Sequence, residues 1–208
     1  MALSETLSET SICNMALGRI GSKRGTTGEM SDVETDTTVQ GIYCRQHYEQ
    51  TRNALLESYR WRFAMERAAL SDTDIEDPTD EYSYVYQLPD NFLRLVSIYE
   101  ESARTQYYKY ALEGEKFYTN EDEINIRYIK KVTDVSKFTP LFIEVFVLKL
   151  ARKLAMPLTQ GNGGLELIAD IDNELTPLLR KTNRMDFNER QRLLGRNEMD
   201  CWNEARVG

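Results

Sequence analysis

The stretch Tyr82-Ser-Tyr-Val-Tyr-Gln-Leu-Pro-Asp-Asn-Phe-Leu-Arg-Leu-Val-Ser-Ile-Tyr99 reads as two strands, rich in β-branched and aromatic residues and broken at Pro89-Asp90-Asn91. The pattern continues downstream in Gln106 to Leu112, Lys116 to Tyr118 and Glu123 to Val132, with punctuation at Gly114 and at Asn120-Glu121-Asp122. Glu123-Ile-Asn-Ile-Arg-Tyr-Ile129 alternates polar and apolar residues, as a strand with one wet face does. A small, mostly antiparallel β subdomain is expected. Ahead of it, Ser71 to Glu81 holds six carboxylates but neither the glycine turn nor the terminal Glu of a calcium loop, so it reads as a solvated linker.

Both flanks have helical spacing. A first helix is expected from about Ser8 to Arg19, with Ile12, Met15 and Ala16 on one face, followed by a glycine-rich loop over residues 21–30. Ser31-Asp-Val-Glu34 has capping-box spacing and predicts a long helix, with Val39, Ile42, Tyr43, Ala54, Leu55 and Ser58 near one face. Thr139-Pro140 predicts another helix start, since Thr caps free N–H groups and Pro at the first helical position loses no hydrogen bond. That helix, to about Met156, is apolar nearly all round. A last helix is expected from Leu165 to Arg184, with Leu165, Ile168, Ala169, Leu175, Leu178 and Leu179 on one face and a kink at Pro177, and residues 187–208 have a short helical pattern through Leu193 and Leu194, then a polar stretch, and read as an arm.

The expected fold class is therefore mainly α. Residues 1–70 and 138–186 form an antiparallel helical bundle, residues 71–137 the inserted β subdomain with its acidic linker, and residues 187–208 an extended C-terminal arm.

Composition bounds the function. The 208 residues are 41% hydrophobic and 29% charged, ordinary for a globular chain and too apolar for a disordered one. No run approaches the length of a membrane span, and the start, Met1-Ala-Leu-Ser-Glu-Thr6, lacks the basic and apolar regions of a signal peptide. A net charge of -8 disfavours binding driven by neutralising nucleic-acid phosphates. Residues 180–208 depart from this, with seven basic groups against five acidic ones. Cys13, Cys44 and Cys201 match neither a zinc site nor a disulfide framework and read as buried free thiols.

No catalytic constellation stands out. His47 is the only histidine, and no nucleophile elbow or metal-ligand spacing accompanies it. Gly161-Asn-Gly-Gly164 precedes a helix but lacks the Lys-Ser/Thr ending of a phosphate loop, so it reads as an interhelical turn. The expectation is a protein that is not an enzyme and uses no cofactor or metal. Gln106-Tyr-Tyr-Lys-Tyr110 and Arg127-Tyr-Ile-Lys-Lys131 interleave aromatic and basic residues, and the alternative reading is a nucleic-acid-binding module that uses these Tyr- and Lys-rich strands.

The order of motifs carries a resemblance. Ser11-Ile-Cys-Asn-Met-Ala-Leu-Gly-Arg-Ile-Gly21, Cys44 with Tyr48-Glu-Gln-Thr-Arg-Asn-Ala-Leu-Leu56, Trp61-Arg-Phe-Ala64, Tyr84-Val-Tyr-Gln-Leu-Pro-Asp90 and Ile126-Arg-Tyr-Ile-Lys-Lys-Val-Thr-Asp134, then Phe138 and Leu141-Phe142, resemble the tail tubular protein A and head-to-tail adaptor family of tailed bacteriophages. The similarity spans roughly residues 8–185 as short blocks.

The resemblance implies a structural virion protein, made in the host cytoplasm and placed at the head-to-tail interface. It would form a ring, usually of twelve copies, below the portal protein and attach a downstream tail or nozzle protein. Double-stranded DNA would pass through the lumen without sequence-specific binding, and no membrane is involved. By that analogy Arg190, Arg192, Leu193, Leu194, Arg196 and Trp202 are the portal-docking residues, of types that often dominate interface energies. Tyr107, Tyr108 and Tyr110 either contact a neighbouring subunit or tail protein or fill the β core. A one-residue change of register exchanges those faces, so the sequence leaves both open.

Overall fold

A computed structural model of the chain describes residues 7–21, 29–70, 81–99, 109–159 and 163–204, with the backbone alone at residue 99 and over 185–204. Four helices, α1 (Glu9–Arg19), α2 (Val39–Ser58), α3 (Pro140–Leu158) and α4 (Gly163–Glu204), occur with six strands: β1 (Met65–Leu70), β2 (Tyr84–Gln87), β3 (Phe92–Tyr99), β4 (Tyr110–Glu113), β5 (Lys116–Thr119) and β6 (Ile124–Lys130). The strands form two antiparallel sheets, ordered β1-β6-β3 and β2-β5-β4. This is a mixed α/β fold, and it corrects the mainly α expectation. Part of the error lies in β1. Met-Glu-Arg-Ala-Ala-Leu is made of good helix formers, yet it pairs residue for residue with β6, from Met65 opposite Ile129 to Leu70 opposite Ile124.

The chain divides into two compact units, one of residues 1–55 and 138–208 and the other of 56–137. In the first, α3 is the central element and packs against both α1 and α4. Thr139 caps it by accepting the Phe142 N–H at 3.4 Å. Phe138, just before it, and Phe142 and Phe146 on it pack as tilted rings with centroids 4.6 and 5.8 Å apart, and Phe146 meets Tyr48 of α2 at 5.0 Å. Ile12, Ala16 and Leu17 of α1 and Ile171 and Leu175 of α4 are also buried in this unit.

The face that α2 buries matches its apolar spacing only in part, at Tyr48, Leu55 and Leu56. Cys44, Tyr48, Thr51, Arg52 and Leu55 are buried, while Val39 is 57% exposed and Ala54 and Ser58 are exposed as well. Two polar residues enter the stripe with their polar groups satisfied: the Thr51 hydroxyl donates to the His47 carbonyl at 2.6 Å, and Arg52 pairs with Glu9 at 3.6 Å and Glu49 at 3.3 Å. Removing one partner of such a buried charge leaves the other uncompensated.

The start of α2 differs from expectation too. Ser31 to Glu34 lies in a turn, and the helix begins at Val39, just after Thr38, whose hydroxyl accepts the Gly41 N–H at 3.3 Å. Side chains hold this turn in place. Asn14 of α1 exchanges two hydrogen bonds with the Met30 backbone (2.8 and 3.0 Å), and Thr10 accepts the Val33 N–H at 3.1 Å. One guanidinium nitrogen of Arg45 donates to the carbonyls of Val33, Glu34 and Asp36 at 2.5, 3.3 and 2.7 Å.

In the β unit, Leu70, Tyr86, Leu88, Phe117, Ile124, Ile126 and Tyr128 make one core, flanked by Tyr84, Phe92, Leu95 and Ile98. Gly114 takes a φ of 60° in the two-residue turn between β4 and β5, a conformation that favours glycine. The C-terminal arm is corrected as well: α4 continues as helix from Gly163 to Glu204. Asn188-Glu-Arg-Gln-Arg-Leu-Leu194 is weakly patterned but rich in helix formers, so low apolar content there is not a sign of extended chain.

Gly41 is where the turn and α2 meet. A Cβ added there would lie 2.7 Å from the Asp36 Cβ and 3.0 Å from the Asp36 carbonyl oxygen, closer than real contacts allow. Gly41→Ala is therefore expected to lower stability by about 1–3 kcal/mol, despite a helix-propensity gain near 1 kcal/mol. Gly18→Ala, where nothing lies within 4 Å of the new Cβ, is expected to be neutral or stabilising. Thermal unfolding of the two variants checks the contrast, and a stabilised Gly41→Ala protein would refute the close approach.

Candidate functional site

The candidate residues fall into two sets. Arg190, Arg192, Leu193, Leu194, Arg196 and Trp202 lie on the C-terminal part of α4, where the backbone is helical and the side chains are outside the described residues. Helical backbone puts Arg192 and Arg196 one turn apart, along with Arg190 and Leu194. Of the second set, Tyr107 and Tyr108 lie outside the described residues.

Tyr110 is on β4, 44% exposed, with its ring stacked on Phe117 of β5 at 5.4 Å and 7°. It covers the core residue Phe117 and remains partly open to solvent. Leu112, two residues on, is exposed as well. Its neighbour Lys109 is engaged within the unit: the ammonium pairs with Glu81 at 3.0 Å and sits 5.0 Å from the centroid of the Tyr82 ring. The hydrogen bond to Glu81 raises the Lys109 pKa.

The second Tyr- and Lys-bearing strand is arranged in the same way. Tyr128 of β6 is 3% exposed, and its hydroxyl sits between Glu66 Oε2 at 3.1 Å and the Asn91 side-chain amide at 3.0 Å. Lys130 pairs with the same Glu66 oxygen at 3.2 Å, and its hydrogen bond holds the Glu66 carboxyl below its usual range. Burial, then the bond to Glu66, pushes Tyr128 up to about 12. Sequence reading missed this cluster because Glu66 belongs to β1, which looked helical; only the β1–β6 register, with Glu66 opposite Tyr128, brings the groups together.

His47 is half-buried on α2, stacked on Tyr43 at 6.4 Å with the rings nearly parallel at 4°. Its Nδ1 has no partner among the described residues, and burial, then the nearby Lys153 charge, lowers its pKa. Lys153 itself donates to Gln50 Oε1 at 3.2 Å. Among the described residues no group of three or more His, Cys, Asp or Glu side chains is placed to hold a metal ion, and no helix is long and apolar enough to cross a membrane.

Several large apolar side chains remain open to solvent. Val39, Ile42, Met156 and Leu165 are each about half exposed or more, although helical spacing put Val39, Ile42 and Leu165 on core-facing stripes. No family model matches this chain, and no curated protein matches it.

Tyr128 gives a direct check of the cluster. A phenol whose pKa is raised on folding contributes stability that is complete below its unfolded value near 10 and is lost as pH rises through the folded value near 12. Ultraviolet difference titration should show this phenol ionising late, and Tyr128→Phe should remove that part of the alkaline destabilisation at a cost of about 1 kcal/mol at neutral pH. Ordinary ionisation near pH 10 in the wild-type chain would mean the hydroxyl is not held by Glu66.

Proposed function

We propose that the chain is a structural head-to-tail adaptor of a tailed bacteriophage, working by assembly and carrying out no chemical step. It would form a ring below the portal protein, receive a tail or nozzle protein on the other side and continue the DNA channel. The observation that carries this reading is the interruption of a helical unit by a β unit, with α1 and α2 before the insertion and α3 and α4 after it. The motif blocks of the resemblance supply core positions on those elements: Ile12, Cys13 and Ala16 on α1, Cys44, Tyr48 and Leu55 on α2, Val85 and Tyr86 on β2, Ile126 and Tyr128 on β6.

Exposed apolar residues on helices, Val39, Ile42, Met156 and Leu165, suit a protein that buries more surface when it assembles. Copies related by a rotation present different patches to each other, and such contacts close into a ring only when the rotation divides a full turn. The alternative, a nucleic-acid module on the Tyr- and Lys-rich strands, fits less well. Lys109 and Lys130 are already ion-paired and Tyr128 is buried, so these three described residues are engaged within the chain.

Native mass spectrometry of the purified chain, alone and mixed with the portal protein of the same genome, tests the adaptor. The expected outcome is a ring-sized complex that forms with portal. Absence of any complex across a range of salt concentrations rules the adaptor out, and a salt-sensitive shift of single-stranded DNA by the chain would favour the alternative.

Truncation after residue 186 tests the docking role of the end of α4. The shortened chain should keep its melting temperature and lose portal binding by at least tenfold. Unchanged binding would move the docking surface elsewhere.

A further inference from the structure

Strand β4 lies at the edge of its sheet, and among the described residues no strand pairs with its outer side. Among the described residues it also holds the exposed large apolar side chains of the β unit, Tyr110 and Leu112. Both stand opposite buried residues of β5, Tyr110 opposite Thr119 and Leu112 opposite Phe117. They therefore carry the core face of the sheet out to an edge that is open to solvent.

The hairpin shows which backbone groups this edge presents. Glu113 and Lys116 flank its two-residue turn and form the hydrogen-bonded pair that closes it. Bonded and non-bonded pairs alternate along an antiparallel ladder, so the N–H and C=O of Ala111 point towards β5, and those of Tyr110 and Leu112 point away from it. The Lys109 carbonyl fits the alternation, since it accepts from the Thr119 hydroxyl at 3.4 Å.

Outward-pointing groups of this kind are a template for another strand. Lys109-Tyr-Ala-Leu-Glu113 is complementary to itself when reversed about Ala111: Lys109 faces Glu113, Tyr110 faces Leu112, and Ala111 faces Ala111. We propose that β4 pairs antiparallel with β4 of a second copy of this chain, joining the two three-stranded sheets into one continuous sheet.

Backbone and side chains select the same register. Tyr110 and Leu112 of the two copies become the hydrogen-bonded pairs, as their outward groups require, and a slip of one residue would set them against the inward-turned groups of Ala111 or Glu113. On the core face each Tyr110 meets the other copy's Leu112. On the opposite face Lys109 and Glu113 make two cross-strand ion pairs, related by a twofold axis at Ala111. Charges on an edge ordinarily guard it against pairing. Here they are opposite in sign and equally distant from Ala111, so they match. Lys109 already pairs with Glu81, but both side chains are more than half exposed, and such a pair is exchanged at little cost. The contact is isologous and short, which makes the dimer a weak one, and it does not depend on the adaptor reading, whose ring needs heterologous contacts.

Sedimentation velocity of the full chain, from low to high micromolar concentration, should show monomers passing into dimers. Leu112→Pro should abolish the dimer and keep the hairpin, because the N–H it removes faces away from β5. Glu113→Lys sets like charges opposite each other twice and should weaken self-association roughly tenfold. Mixing it with Lys109→Glu should restore dimers, since each variant complements the other and not itself. Disulfide trapping reads the register, in a Cys201→Ser background where the remaining Cys13 and Cys44 are buried. Ala111→Cys brings the two Cα atoms to about 4.5 Å, within disulfide reach, and should give a covalent dimer on mild oxidation. Glu113→Cys leaves them about 14 Å apart and should not.

A chain that stays monomeric at the highest concentration overturns the proposal. So do dimers that survive Leu112→Pro, or that are trapped as readily through Glu113→Cys as through Ala111→Cys. If Leu112→Pro does not fold, the charge-reversal mixture and the trapping pair decide the matter without it.

Discussion

The helical unit depends on covering α3. Its apolar side chains point in nearly every direction, with Phe142, Val145, Phe146, Leu150, Ala151 and Leu154 all fully buried. A helix of this kind is stable only inside other protein, and burying each large side chain is worth about 1.5–3 kcal/mol. Residues after α3 cannot do it alone. One side is covered by α1, which precedes the β unit, and another by α4, which follows it.

Much of the helical unit could be read from the residues, because its strongest signals are local. Thr139-Pro140 marks the start of α3 by its own hydrogen bond, and Ser8 caps α1 in the same way. Strands β2, β3, β5 and β6 were also legible, since aromatic and β-branched residues there stand between clear breaks. The errors have a common cause: each comes from a partner distant in sequence. β1 is a strand because β6 lies beside it, not because Met-Glu-Arg-Ala-Ala-Leu prefers extended backbone. The buried face of α2 includes Arg52 because Glu9 reaches it from α1, and hydropathy alone places Val39 there instead. The fold class followed these local readings into error, counting the strands as one small appendage when they form two sheets around their own core.

The candidate residues were less legible. Tyr110 could be located on a strand but not assigned a face, and the structure shows its ring stacked on Phe117 and partly exposed. Glu66, Lys130, Tyr128 and Asn91 come from three separate segments, and no spacing in the sequence links them. Within the segments that interleave aromatic and basic residues, Lys109 and Lys130 each have an acidic neighbour, Glu81 and Glu66. Charge counted along a chain is a poor guide to charge available on a surface, because pairing removes it locally while leaving the total unchanged.

The division of the helical unit by its insertion sets a timetable for synthesis. When residue 58 has left the ribosome, α1 and α2 are complete, but α3 is complete only at Leu158, 100 residues further on. At typical elongation rates that is roughly 5–20 s. During this interval Ile12, Ala16, Leu17 and Leu55 have no α3 to rest on, while the β unit can close on itself once β6 emerges. The nascent chain therefore finishes its second unit before its first, and a chaperone that shields α1 and α2 in the meantime would act on the segment with the longest wait.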